Sequence, residues 1–207
     1  MNDAYNLQRF VNAQQPVFQQ VVMELEAGHK RSHWMWFVFP QIEGLGRSDM
    51  AQRYAISGLE EARAYLQHPL LGARLEQCAS IIVTQAERTA RQIFGSPDDL
   101  KLHSSMTLFA LAAPERPVFK SVLDAFFAGE RDKTTEKLLS RRSSMKCTLK
   151  QAESVPTGSN ALRRALHTAF TPVIHALGEP GGGEVASDFR AFQGNAGQYG
   201  PWQGLAC

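Results

Sequence analysis

Ser96-Pro97-Asp98-Asp99-Leu100-Lys101-Leu102-His103-Ser104-Ser105-Met106-Thr107-Leu108-Phe109-Ala110-Leu111-Ala112 is the stretch on which the fold turns. It opens with a serine cap, a proline suited to the first helical position, and two acids that complement the positive end of a helix dipole. Apolar residues then occupy most sides of the helical projection. The spacing predicts a helix to about Ala112, placed centrally with neighbours on most of its surface. Asp98, Lys101, Ser104 and Ser105 form the exception, since their i, i+3 and i+4 spacing puts them on one polar face.

Working outward, the rest of the first 139 residues reads as short helices. Leu7, Phe10, Val11 and Gln14 keep helical spacing behind Asn6 as cap. Val17, Val21, Val22 and Leu25 carry a second helix that Gly28 ends in a left-handed position. Ser57-Gly58-Leu59-Glu60 has the capping-box pattern for a helix reaching about Gln67. His68-Pro69 breaks that helix, because the residue before a proline resists the α region. Leu71, Leu75, Cys78, Ala79 and Ile82 then make a core stripe, and Thr89 caps a short turn ending in Ile93-Phe94-Gly95. Another helix runs from Pro117 to Ala128 with Gly129 as its stop, and a last turn or two follows Asp132. The run Trp34-Met35-Trp36-Phe37-Val38-Phe39 is too short for periodicity to separate a buried strand from a tight helical segment.

The character changes after Leu139. A basic, serine-rich run at 140–144 leads into a glycine-rich stretch. One amphipathic helix is expected at 161–177, and the composition otherwise predicts disorder. The expected fold is therefore mainly α: a compact orthogonal multi-helix domain at 5–139, then a largely disordered tail at 140–207.

Composition excludes several function classes. Of the 207 residues 43% are hydrophobic, as in an ordinary globular protein, and the formal net charge of +2 gives no strong nucleic-acid signal. No stretch approaches a membrane span, and no amino-terminal signal pattern is present. Cys78, Cys147 and Cys207 make no metal knuckle or disulfide framework, so a cytoplasmic location is expected. No HExxH, P-loop, dinucleotide fingerprint or GxSxG elbow occurs, and neither a metal nor a cofactor is expected.

Two segments carry the candidate chemistry. In the first, Lys30 to Gln41, aromatics crowd beside a histidine and two cations. Its plain reading is an aromatic core plug with Lys30 and Arg31 in solvent. Its sharper reading is a pocket wall, with an aromatic stacking on a ring and His33 and Gln41 making directional contacts. The second is the polar face of the central helix. Its plain reading is an Asp98–Lys101 surface pair, and its sharper one a serine–lysine site. Gly44-Leu45-Gly46 reads as a flexible loop rather than a phosphate cradle.

Several long motifs stand in order over about residues 5–139. They are Arg31-Ser32-His33-Trp34-Met35-Trp36-Phe37-Val38-Phe39-Pro40-Gln41, the Gly44-Leu45-Gly46-Arg47-Ser48 loop, Ala62-Arg63-Ala64-Tyr65-Leu66 with His68-Pro69, and Phe94-Gly95-Ser96-Pro97-Asp98-Asp99-Leu100-Lys101 followed by Ser104-Ser105-Met106-Thr107-Leu108-Phe109. Together they resemble the bacterial domain-of-unknown-function 1810 family. The resemblance implies a mainly helical domain and no established activity. Its recurrent motifs fall on the two segments above and add Thr107. Members are sometimes labelled calpastatin, but this chain has no repeated inhibitory segments. The helix–His-Pro–helix segment is also faintly similar to YbiA-like domains associated with ADP-ribose derivatives, an analogy at fold level only.

The function expected is a small anionic, nucleotide-like ligand site between the two segments. Lys101 would neutralise an anionic group, His33 would act as acid or base, and Ser105 would complete a catalytic set. Trp36, Gln41, Ser104 and Thr107 would bind the ligand. The alternative is a protein-interaction module using an exposed Trp/Phe patch near Trp34, its partner unknown. Whether the protein is an enzyme is left open.

Overall fold

A computed structural model describes residues 3–153, with side chains up to Ser144. Ten α-helices follow one another in this part of the chain. They are α1 (Gln8–Gln14), α2 (Phe18–Glu26), α3 (Met35–Val38), α4 (Asp49–Arg53), α5 (Leu59–Gln67), α6 (Pro69–Val83), α7 (Ala90–Phe94), α8 (Asp98–Ala112), α9 (Pro117–Phe127) and α10 (Lys133–Glu153). Among the described residues no strand forms, and the only β pairing is an isolated parallel bridge between Ile42 and Ile56. The fold is thus mainly α, as the periodicity predicts. The chain divides into two units, Met1–Lys150 and Gln151–Cys207, and the core helices belong to the first. The helix expected at 161–177 lies outside the described residues.

Helix α8 is the centre of the packing. It contacts α5, α7 and α9, and Leu102, Met106, Leu108 and Phe109 along it are fully enclosed. Aromatic rings extend the core from it. Tyr65 lies 5.4 Å from Phe109, Phe119 lies 5.8 Å from Phe109, and Phe10 meets Tyr65 edge-on at 5.1 Å. Each such ring contributes its buried area plus about 0.5–1.5 kcal/mol from the pairing. A second aromatic group, Trp34, Phe39 and Phe94, joins α3 to α7 with ring separations of 6.1–6.4 Å. The Trp34–Phe39 run is therefore a single helical turn and its flanks, not a strand.

The helix ends follow local chemistry, with four departures from the sequence reading. At α2 the expected Gly28 stop is present. Gly28 has φ +61°, its N–H donates to Leu25 O, and His29 N–H donates to Glu24 O. Those two bonds make a Schellman motif. His68 both ends α5 and caps α6, its Nδ1 accepting from Leu70 and Leu71 N–H. Thr89 and Gln92 form a reciprocal capping box at α7.

The first departure is at α1. Asp3 takes the Leu7 and Gln8 N–H groups, at 2.6 and 3.0 Å, while Asn6 sits in a left-handed turn. At α5, Gly58 is the cap, and Glu61 rather than Glu60 reaches back, to Ser57 N–H at 2.8 Å. No reciprocal box forms, since the cap has no side chain, and Glu61 also pairs with Arg9, a partner distant in sequence. At α8, Ser96 does not cap. The Ser96–Pro97 peptide is cis, Pro97 holds the cap position, and the helix begins at Asp98.

The largest departure is α10, which spans 21 residues in place of a last turn or two. Asp132 caps it through Thr135 N–H and Oγ1, at 2.8 and 2.6 Å. The serines of the basic run do not break it. Ser140, Ser143 and Ser144 return their hydroxyls to carbonyls four residues back, an arrangement a helix accommodates at small cost by sharing the carbonyl with the backbone N–H. Arg142 adds a tie from the helix to Glu43 and Ser57 O.

Candidate functional site

Residues 29–34, between α2 and α3, are shaped from below by Glu24 on α2. Its carboxylate accepts from Arg31 N–H at 2.9 Å, Ser32 N–H at 3.1 Å, Ser32 Oγ at 2.7 Å and Trp34 Nε1 at 2.8 Å, with Gln20 on its other side. The residue is only 4% exposed. Burial opposes its ionisation, but hydrogen bonds from Gln20, Arg31, Ser32 and Trp34 outweigh it and bring the pKa down to about 2. One anion therefore fixes the loop backbone and the Trp34 indole together. The sequence reading passed over Glu24. Its signal was a carboxylate three residues after Val21, on the buried stripe of α2.

That loop delivers Lys30 to the start of α8. Lys30 Nζ lies 2.7 Å from Asp98 Oδ2 and donates to Ser32 O at 2.7 Å, 5.1 Å from the Trp34 ring centre. Its side chain is 8% exposed, so the expectation of a solvated Lys30 is corrected. Arg31 is exposed as expected. Asp98 Oδ1 takes the second lysine, Lys101 Nζ, at 2.7 Å. Burial opposes ionisation of Asp98, but the hydrogen bonds from Lys101 and Lys30 outweigh it and hold its carboxyl below the usual range. Lys101 Nζ also lies 4.5 Å from the Trp36 ring centre.

The two lysines are not equivalent. An ammonium has three donors. Those of Lys30 face Asp98, Ser32 O and the Trp34 ring. Lys101 gives one to Asp98 and presents another to Trp36, which leaves one without an acceptor among the described residues. Trp34 is buried, whereas Trp36 is half-buried. The structure thus brings Lys101 and Trp36, from the two segments, into contact at the surface. His33 is exposed on the same loop, and Gln41 is half-buried just beyond α3 with its carbonyl accepting from Ile56 N–H.

The hydroxyls of α8 go elsewhere. Ser104 Oγ donates to Leu100 O, with Asp132 Oδ2 at 3.4 Å. Thr107 Oγ1 donates to His103 O and accepts from Asp132 N–H. Both serve the start of α10. Ser105 is fully buried, and its Oγ has no hydrogen-bond partner. No base therefore stands within reach to activate it. Cys78 is also enclosed, and burial pushes its thiol up to about 12, far from thiolate chemistry. Among the described residues no group of three His, Cys, Asp or Glu side chains could hold a metal. No helix among them is long and apolar enough to cross a membrane.

Comparison with known proteins agrees with this picture at the level of the fold. The pattern of a family described as "Protein of unknown function (DUF1810)" matches residues 4–139. A solved structure similar to the chain is that of the conserved hypothetical protein Rv1873 from Mycobacterium tuberculosis. It is 54% identical with a TM-score of 0.66, over 67% of this chain and 99% of that one. No curated protein matches.

Proposed function

The chain belongs to the DUF1810 family of proteins of unknown function, so no activity comes with membership, and we propose from the site itself that the protein binds a small anionic, nucleotide-like ligand at Lys101 and Trp36. The observation that carries this reading is the unequal use of the two lysines on Asp98. Lys30 is closed off and holds Asp98 in place. Asp98 and Trp36 position Lys101, which keeps a donor for an incoming phosphate. A lysine ammonium suits phosphate as a point charge, and the half-buried indole offers a face for a base. His33, exposed on the loop that Glu24 shapes, is the group proposed as acid or base. Gln41 supplies a further polar contact on the same segment. Ser105 is left out as a nucleophile for want of a base, and Ser104 and Thr107 are left to the α10 cap.

Thermal-shift and calorimetric titration against AMP, ADP, ADP-ribose and sugar phosphates test the reading, because a ligand of the native state raises apparent stability. One or more of the nucleotides is expected to bind. Lys101→Gln and Trp36→Leu should each weaken binding about tenfold, the scale of one charge-assisted hydrogen bond or one stacked base. Absence of binding by the whole panel, or unchanged affinity in both variants, would overturn it.

A further inference from the structure

We propose that the protein carries a second site, for a compact organic anion bearing more than one oxyanion group, in the groove beside α9. This groove encloses about 400 Å³. Its apolar floor is Ala110, Pro114 and Leu123, and its charged lining is Arg116, Lys120 and Arg131, with no carboxylate among the lining residues. The three cations come from separate points along the chain. Arg116 is the cap residue of α9, Lys120 lies one turn into that helix, and Arg131 follows the left-handed Ala128–Gly129 turn beyond its end.

Each cation has an acidic partner that is not among the lining residues: Arg116 with Glu76, Lys120 with Asp124, whose Oδ1 stands beside Gly129 at the groove's edge, and Arg131 with Glu136. Those pairs orient the cations without using them up. Arg116 Nη1 donates to Glu76, and Arg131 Nε stands 2.9 Å from a Glu136 carboxylate oxygen as an ion pair. Among the described residues, the Arg116 Nε and Nη2 groups and both Arg131 Nη groups make no hydrogen bond. A guanidinium fork with free N–H pairs matches the two oxygens of a carboxylate or phosphate. Cations at both ends of α9 favour a ligand with oxyanions at more than one position, and the apolar floor favours a short carbon body between them. The volume lies at the small end of ligand pockets and suits a metabolite-sized acid. The Lys101–Trp36 reading shares none of these residues, so the two stand or fall separately.

Titration of the full-length ¹⁵N-labelled protein with citrate at constant ionic strength, followed by amide shifts, tests the site. Saturable shifts are expected over residues 110–131. Acetate, with one carboxylate, should produce none of comparable affinity. The double variant Lys120→Gln/Arg131→Gln, whose side chains are largely exposed, should weaken citrate at least about tenfold, the scale of lost charge-assisted hydrogen bonds. Lys101→Gln should leave citrate binding unchanged. Linear shifts without saturation, equal affinity for acetate, unchanged affinity in the double variant, or shifts confined to the Lys30 and Lys101 region would each overturn the proposal.

Discussion

The carboxylate of Glu24 accepts from four residues, and among the described residues no other buried acid is so fully surrounded by donors. Replacing it by glutamine keeps the volume but turns an NH₂ toward groups that themselves donate. Glu24→Gln is expected to cost about 2–4 kcal/mol, a few charge-assisted hydrogen bonds discounted for overlap. Urea unfolding followed by tryptophan fluorescence measures it. The lysines on Asp98 should separate in the same assay. Lys30→Met removes a cation that is 8% exposed and leaves one oxygen of a half-buried carboxylate unpaired, for a loss of about 2 kcal/mol. Lys101→Met removes one that is 20% exposed, for about 1 kcal/mol or less. Equal losses would contradict the division between a holding lysine and a presenting one.

At the scale of elements, the junction of α5 and α6 shows how tightly short helices are joined. His68 serves both helices, and the chain turns so sharply that a Cβ at Gly72 would stand 2.1 Å from Leu66 O. The obstacle is backbone, which cannot swing aside as a flexible side chain can. Gly72→Ala is therefore expected to destabilise by at least about 1–3 kcal/mol despite alanine's better helix propensity. A fall in melting temperature measures the effect, and a rise would show that the junction gives way. The start of α10 is built differently. Thr107 and Ser104 on α8 hold Asp132, and Asp132 caps α10, so the hydroxyls of the central helix order its neighbour.

For the whole molecule, acid stability follows from where its carboxylates are held. Glu24 has a folded pKa of about 2 against an ordinary 4.5, so its contribution is complete above pH 4.5 and is lost as pH falls toward 2. The size at neutral pH is about 3 kcal/mol, at roughly 1.4 kcal/mol per unit. Asp98 is depressed as well and acts in the same direction, its support also fading on acidification. Stability measured by urea at a series of pH values should be flat down to about pH 5 and then decline, and the Glu24→Gln variant should decline less steeply. Parallel curves for the two proteins would remove Glu24 from the account.

The helices were legible in the chain because their signals are local. The stripe Leu71, Leu75, Cys78, Ala79 and Ile82 repeats at the helical period and is buried throughout, and the His68-Pro69 break, the Thr89 cap and the Gly28 stop each act within a few residues. The segments bearing Trp36 and Lys101 stood out for a similar reason, as a cluster of aromatics and a polar face on an apolar helix. What packing alone decided was which distant groups share a charge or a donor. Asp98 reads as a surface partner of Lys101 until the fold brings Lys30 across to its other oxygen. Glu60 fits the capping pattern, yet it is Glu61, paired with Arg9 from far along the chain, whose carboxylate takes the Ser57 N–H. Glu24 is an acid on an apolar stripe until five donor atoms meet around it. A buried charge takes its state from whatever surrounds it in space, and those neighbours come from parts of the chain that no period or short motif connects.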